Sequence, residues 1–115
     1  MVVVGADVHK QTHTFVAVDE VGRELGHKTF PATTPGHRDA VCWARQRFGL
    51  ELGWAIEDCR HLSARLERDL LTAGQKVVRV PPKMMAEKRR IARTRGKSDP
   101  IDALAVARAA QREPD

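Results

Sequence analysis

The 115-residue chain has no tyrosine, three phenylalanines and two tryptophans, Trp43 and Trp54, both in apolar stretches that read as core. An aromatic platform for stacking single-stranded bases is not supported by this composition. Cysteine is also scarce. Cys42 and Cys59 have no CxxC spacing and no neighbouring His or Cys set, so no zinc site is formed from them, and they read as free core thiols in a reducing compartment. No apolar run approaches the roughly 20 residues that cross a bilayer, and MVVVGADVHK lacks the basic-then-apolar plan of a secretory leader. A cytoplasmic protein with no membrane partner is expected.

Charge is what the chain does have, and it is local. The formal net charge is +5. Between residues 83 and 97 stand seven basic side chains (Lys83, Lys88, Arg89, Arg90, Arg93, Arg95, Lys97) against the single acid Glu87; the other 100 residues carry 13 basic and 14 acidic ones. Excess charge confined to one segment is an electrostatic footprint, and phosphate backbones are its commonest partner. A solvated charge run is the plainer alternative.

Periodicity gives the order of elements. MVVVGAD is a continuous apolar run, as in a strand buried on both faces. HTFVAVD and RELGHKTF follow after short polar connections, and the tight spacing predicts an antiparallel meander. From Pro35 to Phe48 apolar residues recur at helical intervals, with Thr34 as cap and Gly49 as stop. ELGWAIE reads as a strand, Leu62, Leu66, Leu70 and Leu71 mark a second helix ending at Gly74, and KVVRV is a strand closed by Pro81 and Pro82. The basic segment PPKMMAEKRRIARTRGK fits an exposed helix or a loop equally well. KSDPIDALAVARAA then opens a last helix. The order predicts an α/β fold: three N-terminal antiparallel strands, then alternating helices and strands, in a mixed sheet flanked by helices. One domain spanning 1–115 is expected, since a chain of this length supports a single core.

Four acids stand where charge is expensive or paired. Asp7 and Glu57 each end an apolar strand, the usual place for sites in open α/β sheets, although Asp58 competes with Glu57 through a one-residue change of register. Asp99 and Asp102, at i and i+3, share one side of the last helix. Converging carboxylates need a compensating cation, and hard oxygen donors suit Mg²⁺ or Mn²⁺. Taken singly, each acid has a plainer role: Asp99 before Pro100 is a good N-cap, Asp102 complements the helix dipole, and Asp7 and Glu57 can form end-of-strand bonds or ion pairs. Lys10 is a candidate auxiliary group beside Asp7. His9 and His13 form a weak candidate metal pair straddling a turn, and His61 a weak candidate neighbour of Glu57.

GADVHK at Gly5–Lys10, the acidic strand end in WAIED, VVRVPP and RGKSDPIDALA occur in an order and separation that resemble the DEDD transposases of the IS-one-ten insertion-sequence family. The resemblance spans essentially the whole chain. It implies a RuvC-like, ribonuclease H-type catalytic domain in which Asp7, Glu57, Asp99 and Asp102 take the four acidic positions, with Glu57 preferred over Asp58. It also implies an element-encoded guide RNA, DNA as substrate, and a C-terminal domain whose serine attacks the DNA phosphate. The chain departs from the family pattern there: it ends at Asp115, and its two serines, Ser63 and Ser98, lie outside the nucleophile's context. The EDCRH run after the fourth strand departs too, where many relatives have small and aromatic residues.

The expected function is therefore metal-dependent DNA strand cleavage and transfer by the N-terminal catalytic domain of a transposase, as a homo-oligomer in the intact protein because recombination joins two DNA sites. A self-sufficient RuvC-like Holliday-junction resolvase and a non-catalytic nucleic-acid-binding module are the alternatives.

Overall fold

The structure, a computed structural model, describes residues 1–57, 60–81 and 99–112. The basic residues from Lys83 to Lys97, and Asp58, Cys59 and Ser98, lie outside the described residues. Among the described residues eight elements follow in order: β1 (Val2–Val8), β2 (Thr12–Val18), β3 (Glu24–Pro31), α1 (Thr34–Phe48), β4 (Leu52–Glu57), α2 (Arg60–Thr72), β5 (Lys76–Val80) and a last helix, α3 (Asp99–Arg112). The strands form one mixed sheet in the order β3-β2-β1-β4-β5. The meander pairs β1 with β2 and β2 with β3 antiparallel, while β1–β4 and β4–β5 are parallel, each parallel link crossing over through a helix.

β1 is central, and that is why its sequence shows no polar alternation: both its faces are covered. Val4 and Ala6 join Phe15, Trp54, Ile56, Leu66 and Leu70 in the core beneath α1 and α2. On the opposite face Val3 packs with Ala55, Val106 and Ala109, and Val16 and Val18 pack with Ala103 and Ala107 of α3. Trp54 is fully buried against Phe15, and its indole N–H donates to Gln75 at 2.9 Å. Truncating it to alanine would be expected to remove about 3–5 kcal/mol of stability.

Local chemistry sets the helix ends. The cap of α1 is Thr33, whose Oγ1 accepts from Gly36 N at 3.0 Å, and not Thr34 as the sequence suggested. Thr34 is engaged elsewhere: its hydroxyl donates to Asp69 of α2. Gly49, at φ 97°, and Gly74, at φ 77°, end α1 and α2 in the left-handed region that favours glycine. Cys42 is also corrected, because it lies on the exposed side of α1 and not in the core. Trp43 is half-buried at the same helix, packed on Phe30 and Phe48.

A buried polar cluster ties β2 to the helices. The His13 ring stacks on His37 with centroids 5.2 Å apart, and His37 Nδ1 lies 2.7 Å from Asp69 Oδ2. Burial first, then His37 and His9, holds the His13 pKa down from 6.5 to about 4. Unfolding lets His13 protonate near 6.5, so stability is expected to fall as pH drops from 6.5 to 4, by about 3 kcal/mol at most. For Asp69, burial opposes ionisation, but hydrogen bonds from His37 and Thr34 outweigh it and bring the pKa below 3.8. The stability that Asp69 contributes is present above that value and is lost only as pH falls through its lower folded pKa. Thermal midpoints measured across this range check the sign. A His13→Phe variant should flatten the decline between pH 6.5 and 4.

Candidate catalytic site

Alternation along two neighbouring strands places the first two acids. Val4 and Ala6 of β1 and Trp54 and Ile56 of β4 face α1 and α2, so Gly5 and Asp7, and Ala55 and Glu57, face α3. The parallel register pairs Gly5 with Ala55 and Ala6 with Ile56. One residue further, Asp7 and Glu57 sit side by side at the carboxyl ends of strands about 4.8 Å apart. Both are largely withdrawn from water: the Asp7 side chain is 13% exposed and Glu57 6%. With Ile56 in the core under α1 and α2, Glu57 takes the α3 face, the same face as Asp7; Asp58 lies outside the described residues.

The third contribution comes from α3, and Gly5 decides how it arrives. A Cβ at Gly5 would lie 2.2 Å from the Ala103 carbonyl oxygen and 2.5 Å from Ala107 N, so the helix backbone rests directly on the strand. Farther along α3, Arg108 Nε donates to Gly22 O and Gln111 Nε2 to Asp19 O, at the β2–β3 turn. That turn lies at the amino end of β1, since Val18 pairs with Val3. The helix therefore runs against β1, and its first turn points toward the end where Asp7 and Glu57 stand. Asp99 is the first residue of α3 and Asp102 directly precedes Ala103, where the helix rests on the sheet. Their side chains lie outside what the structure describes. Among the described residues no three metal-ligating side chains come together.

Around Asp7 the sequence left several partners unnoticed. His9 Nε2 lies 2.7 Å from Asp7 Oδ2. On the other side Thr14, the register partner of Asp7, is buried and shares a 2.8 Å hydroxyl contact with Thr29 of β3. His9 and His13 do not converge as a metal pair: His13 stacks on His37, while His9 reaches Asp7. The signal available in sequence was the glycine inside an apolar strand, which marks close approach of another backbone. Lys10 is exposed in the β1–β2 turn next to the site. The basic residues of 83–97 lie outside the described residues; the stretch that holds them follows β5, which ends at Val80 paired with Glu57, and precedes α3, which begins at Asp99, so both its bounds belong to the carboxyl end of the sheet. No helix among the described residues is long and apolar enough to cross a membrane.

Comparison with solved structures gives the same architecture. Thermus thermophilus RuvC superposes with a TM-score of 0.66 at 18% identity, covering 95% of this chain and 92% of that one. A T. thermophilus RuvC determined in complex with a Holliday junction substrate gives 0.64 at 17%, covering 95% and 91%. The fold is thus RuvC-like, within the ribonuclease H class. No curated protein matches the chain. Both acidic strand ends and the KSDPID helix start lie inside residues 4–115, which match the family model described as a transposase of the DEDD type found in IS110 elements, and the chain belongs to that family.

Proposed function

We propose that Asp7, Glu57, Asp99 and Asp102 are the catalytic and metal-binding acids of this transposase domain, acting on DNA phosphodiesters with Mg²⁺ or Mn²⁺. One juxtaposition carries the reading. Asp7 and Glu57 stand together at adjacent strand ends, and the helix that begins with Asp99 and Asp102 runs antiparallel to β1, so that its first turn belongs to that same end. The donor set fits the cofactor: two carboxylates at adjacent strand ends, Asp7 and Glu57, both largely withdrawn from water, suit a hard divalent cation, and neither Cys nor paired His enters the set. When bound, such ions polarise the scissile phosphate and stabilise the departing oxygen.

The chain's own part is positional. Two hydrogen-bonded strands fix the spacing of Asp7 and Glu57, and the helix resting on Gly5 fixes the level at which the other two acids begin. Lys83, Lys88, Arg89, Arg90, Arg93, Arg95 and Lys97, in the stretch bounded by the same end of the sheet, would neutralise nucleic-acid phosphates. The junction-bound RuvC relative supports DNA as the partner. The family resemblance supports an element-encoded guide RNA, a serine nucleophile from a C-terminal domain, residues 1–115 as the catalytic domain, and an oligomer in the intact protein. We place the protein in the cytoplasm, with its DNA.

Calorimetric titration of Mn²⁺ into this chain and into an Asp7→Asn, Asp102→Asn double variant tests the site. Uptake by the parent and its loss in the variant, with unchanged circular dichroism, is the expected result. Equal uptake by both would reduce the acids to caps and ion pairs. Duplex binding should weaken with salt at a log–log slope of about −5 for six phosphate contacts. A non-catalytic binding module would keep that slope while ignoring the metal.

A further inference from the structure

We propose that His9 is a positioning residue for Asp7: its Nε2–H holds Asp7 Oδ2 and so fixes the carboxylate in the orientation that binds the metal. The inference rests on the reading of Asp7 as a metal-binding acid, and it assigns a role to a histidine that the four-acid motif leaves unused.

The geometry is specific. The Nε2 to Oδ2 distance is 2.7 Å, the short range of a hydrogen bond to a charged acceptor. An imidazole carrying its proton on Nε2 donates this bond in either charge state. The ring is 44% exposed, so packing alone does not hold it in place; the turn beneath it does. His9 N donates to Thr12 O at 3.1 Å and makes a longer 3.4 Å contact with His13 Nδ1, and Ala32 N donates to Gln11 O at 2.9 Å, tying the turn to the end of β3. His13 is itself immobilised by its stack on the buried His37. A fixed backbone under a ring that touches one carboxylate oxygen is the arrangement by which an outer partner orients a metal ligand. Without that bond the Asp7 carboxylate would have more rotamer freedom, and each metal-binding event would have to order it again.

Substitution at His9 separates this role from direct ligation, because Gln presents an amide N–H near the place of Nε2 and Asn near the place of Nδ1. Mn²⁺ titrations of the full chain are compared for the parent, His9→Ala, His9→Gln and His9→Asn, with thermal midpoints taken in parallel. The expected result is a dissociation constant about tenfold weaker for His9→Ala and for His9→Asn, restored to within roughly threefold of the parent by His9→Gln. Midpoints should stay close together, since the ring is half-exposed and outside the core. Parental affinity in His9→Ala overturns the proposal, as does a His9→Gln variant as weak as His9→Ala, which would make the imidazole itself a ligand. Asp7→Asn is the internal control. If the parent takes up Mn²⁺ and Asp7→Asn does not, a silent His9→Ala refutes only the positioning role, whereas a parent that takes up none, or an Asp7→Asn that binds as well, removes both readings together.

Discussion

Asp7→Asn in the intact transposase is expected to lower metal-dependent DNA strand cleavage and joining by about a thousandfold, equivalent to roughly 4 kcal/mol of barrier. The estimate follows from the place of the residue. Losing a partner that merely orients a ligand costs about 10–100-fold in metal affinity or activity, and the ligand itself should cost more. Asparagine keeps the shape of the side chain and one acceptor oxygen but removes the charge that faces Glu57 across adjacent strands. The fold should survive, because relief of carboxylate crowding offsets the altered bond to His9. Strand-cleavage rates on element-end DNA, with Asp39→Asn on the exposed side of α1 as a neutral control, measure the effect. Activity within tenfold of the parent would remove Asp7 from the metal site. Glu57→Gln is expected to behave alike, with some added loss of stability because Glu57 is the more buried of the two.

Gly5→Val should be the most damaging substitution outside the four acids. A branched side chain there would be driven into the Ala103 carbonyl at 2.2 Å, Ala107 N at 2.5 Å and the Ala107 methyl at 2.7 Å. Two of these are backbone atoms of a helix, which cannot swing aside as a flexible side chain would. Overpacking of this kind costs about 3 kcal/mol or more, a drop in thermal midpoint of some 12 °C for a domain of this size. The more telling readout is selective. The α1–α2 face of the sheet does not touch Gly5, so the core around Trp54 should remain while α3 lifts away with Asp99 and Asp102. Tryptophan fluorescence should then stay near native below the midpoint while Mn²⁺ uptake disappears. A Gly5→Val protein that binds metal like the parent would show that α3 is not what completes the site.

Particular residues show how far the sequence reaches. The uninterrupted run in β1 identifies a strand covered on both faces, and the prolines after KVVRV end β5 where expected. GADVHK and KSDPIDALA, read for spacing, put acids at a strand end and a helix start and suggested the family. Cap choice at α1 was not legible, because Thr33 and Thr34 are chemically equivalent there and the decision is made by Asp69, 35 residues from Thr34, which engages the second hydroxyl. Nor was the exposure of Cys42, since a helical apolar pattern shows which residues can be buried but not where the neighbouring elements end. The His9–Asp7 contact escaped for a similar reason: the turn between His9 and His13 can present their rings to one group or to different ones, and here His9 reaches Asp7 while His13 stacks on His37.

The sequence by itself determined the identity and order of the strands and helices, the strand-end positions of Asp7 and Glu57, and the i, i+3 pairing of Asp99 with Asp102. These are short-range properties, set by the two-residue period of a strand and the 3.6-residue period of a helix. Only the tertiary structure decided that β1 and β4 are neighbours in a register that brings two of those acids together, and that α3 descends on Gly5 in the direction that leads its first turn to them. Strand adjacency and helix direction depend on contacts between residues 50 to 100 positions apart, where each pairing must overcome the entropy of closing a long loop and no local pattern records which one succeeds.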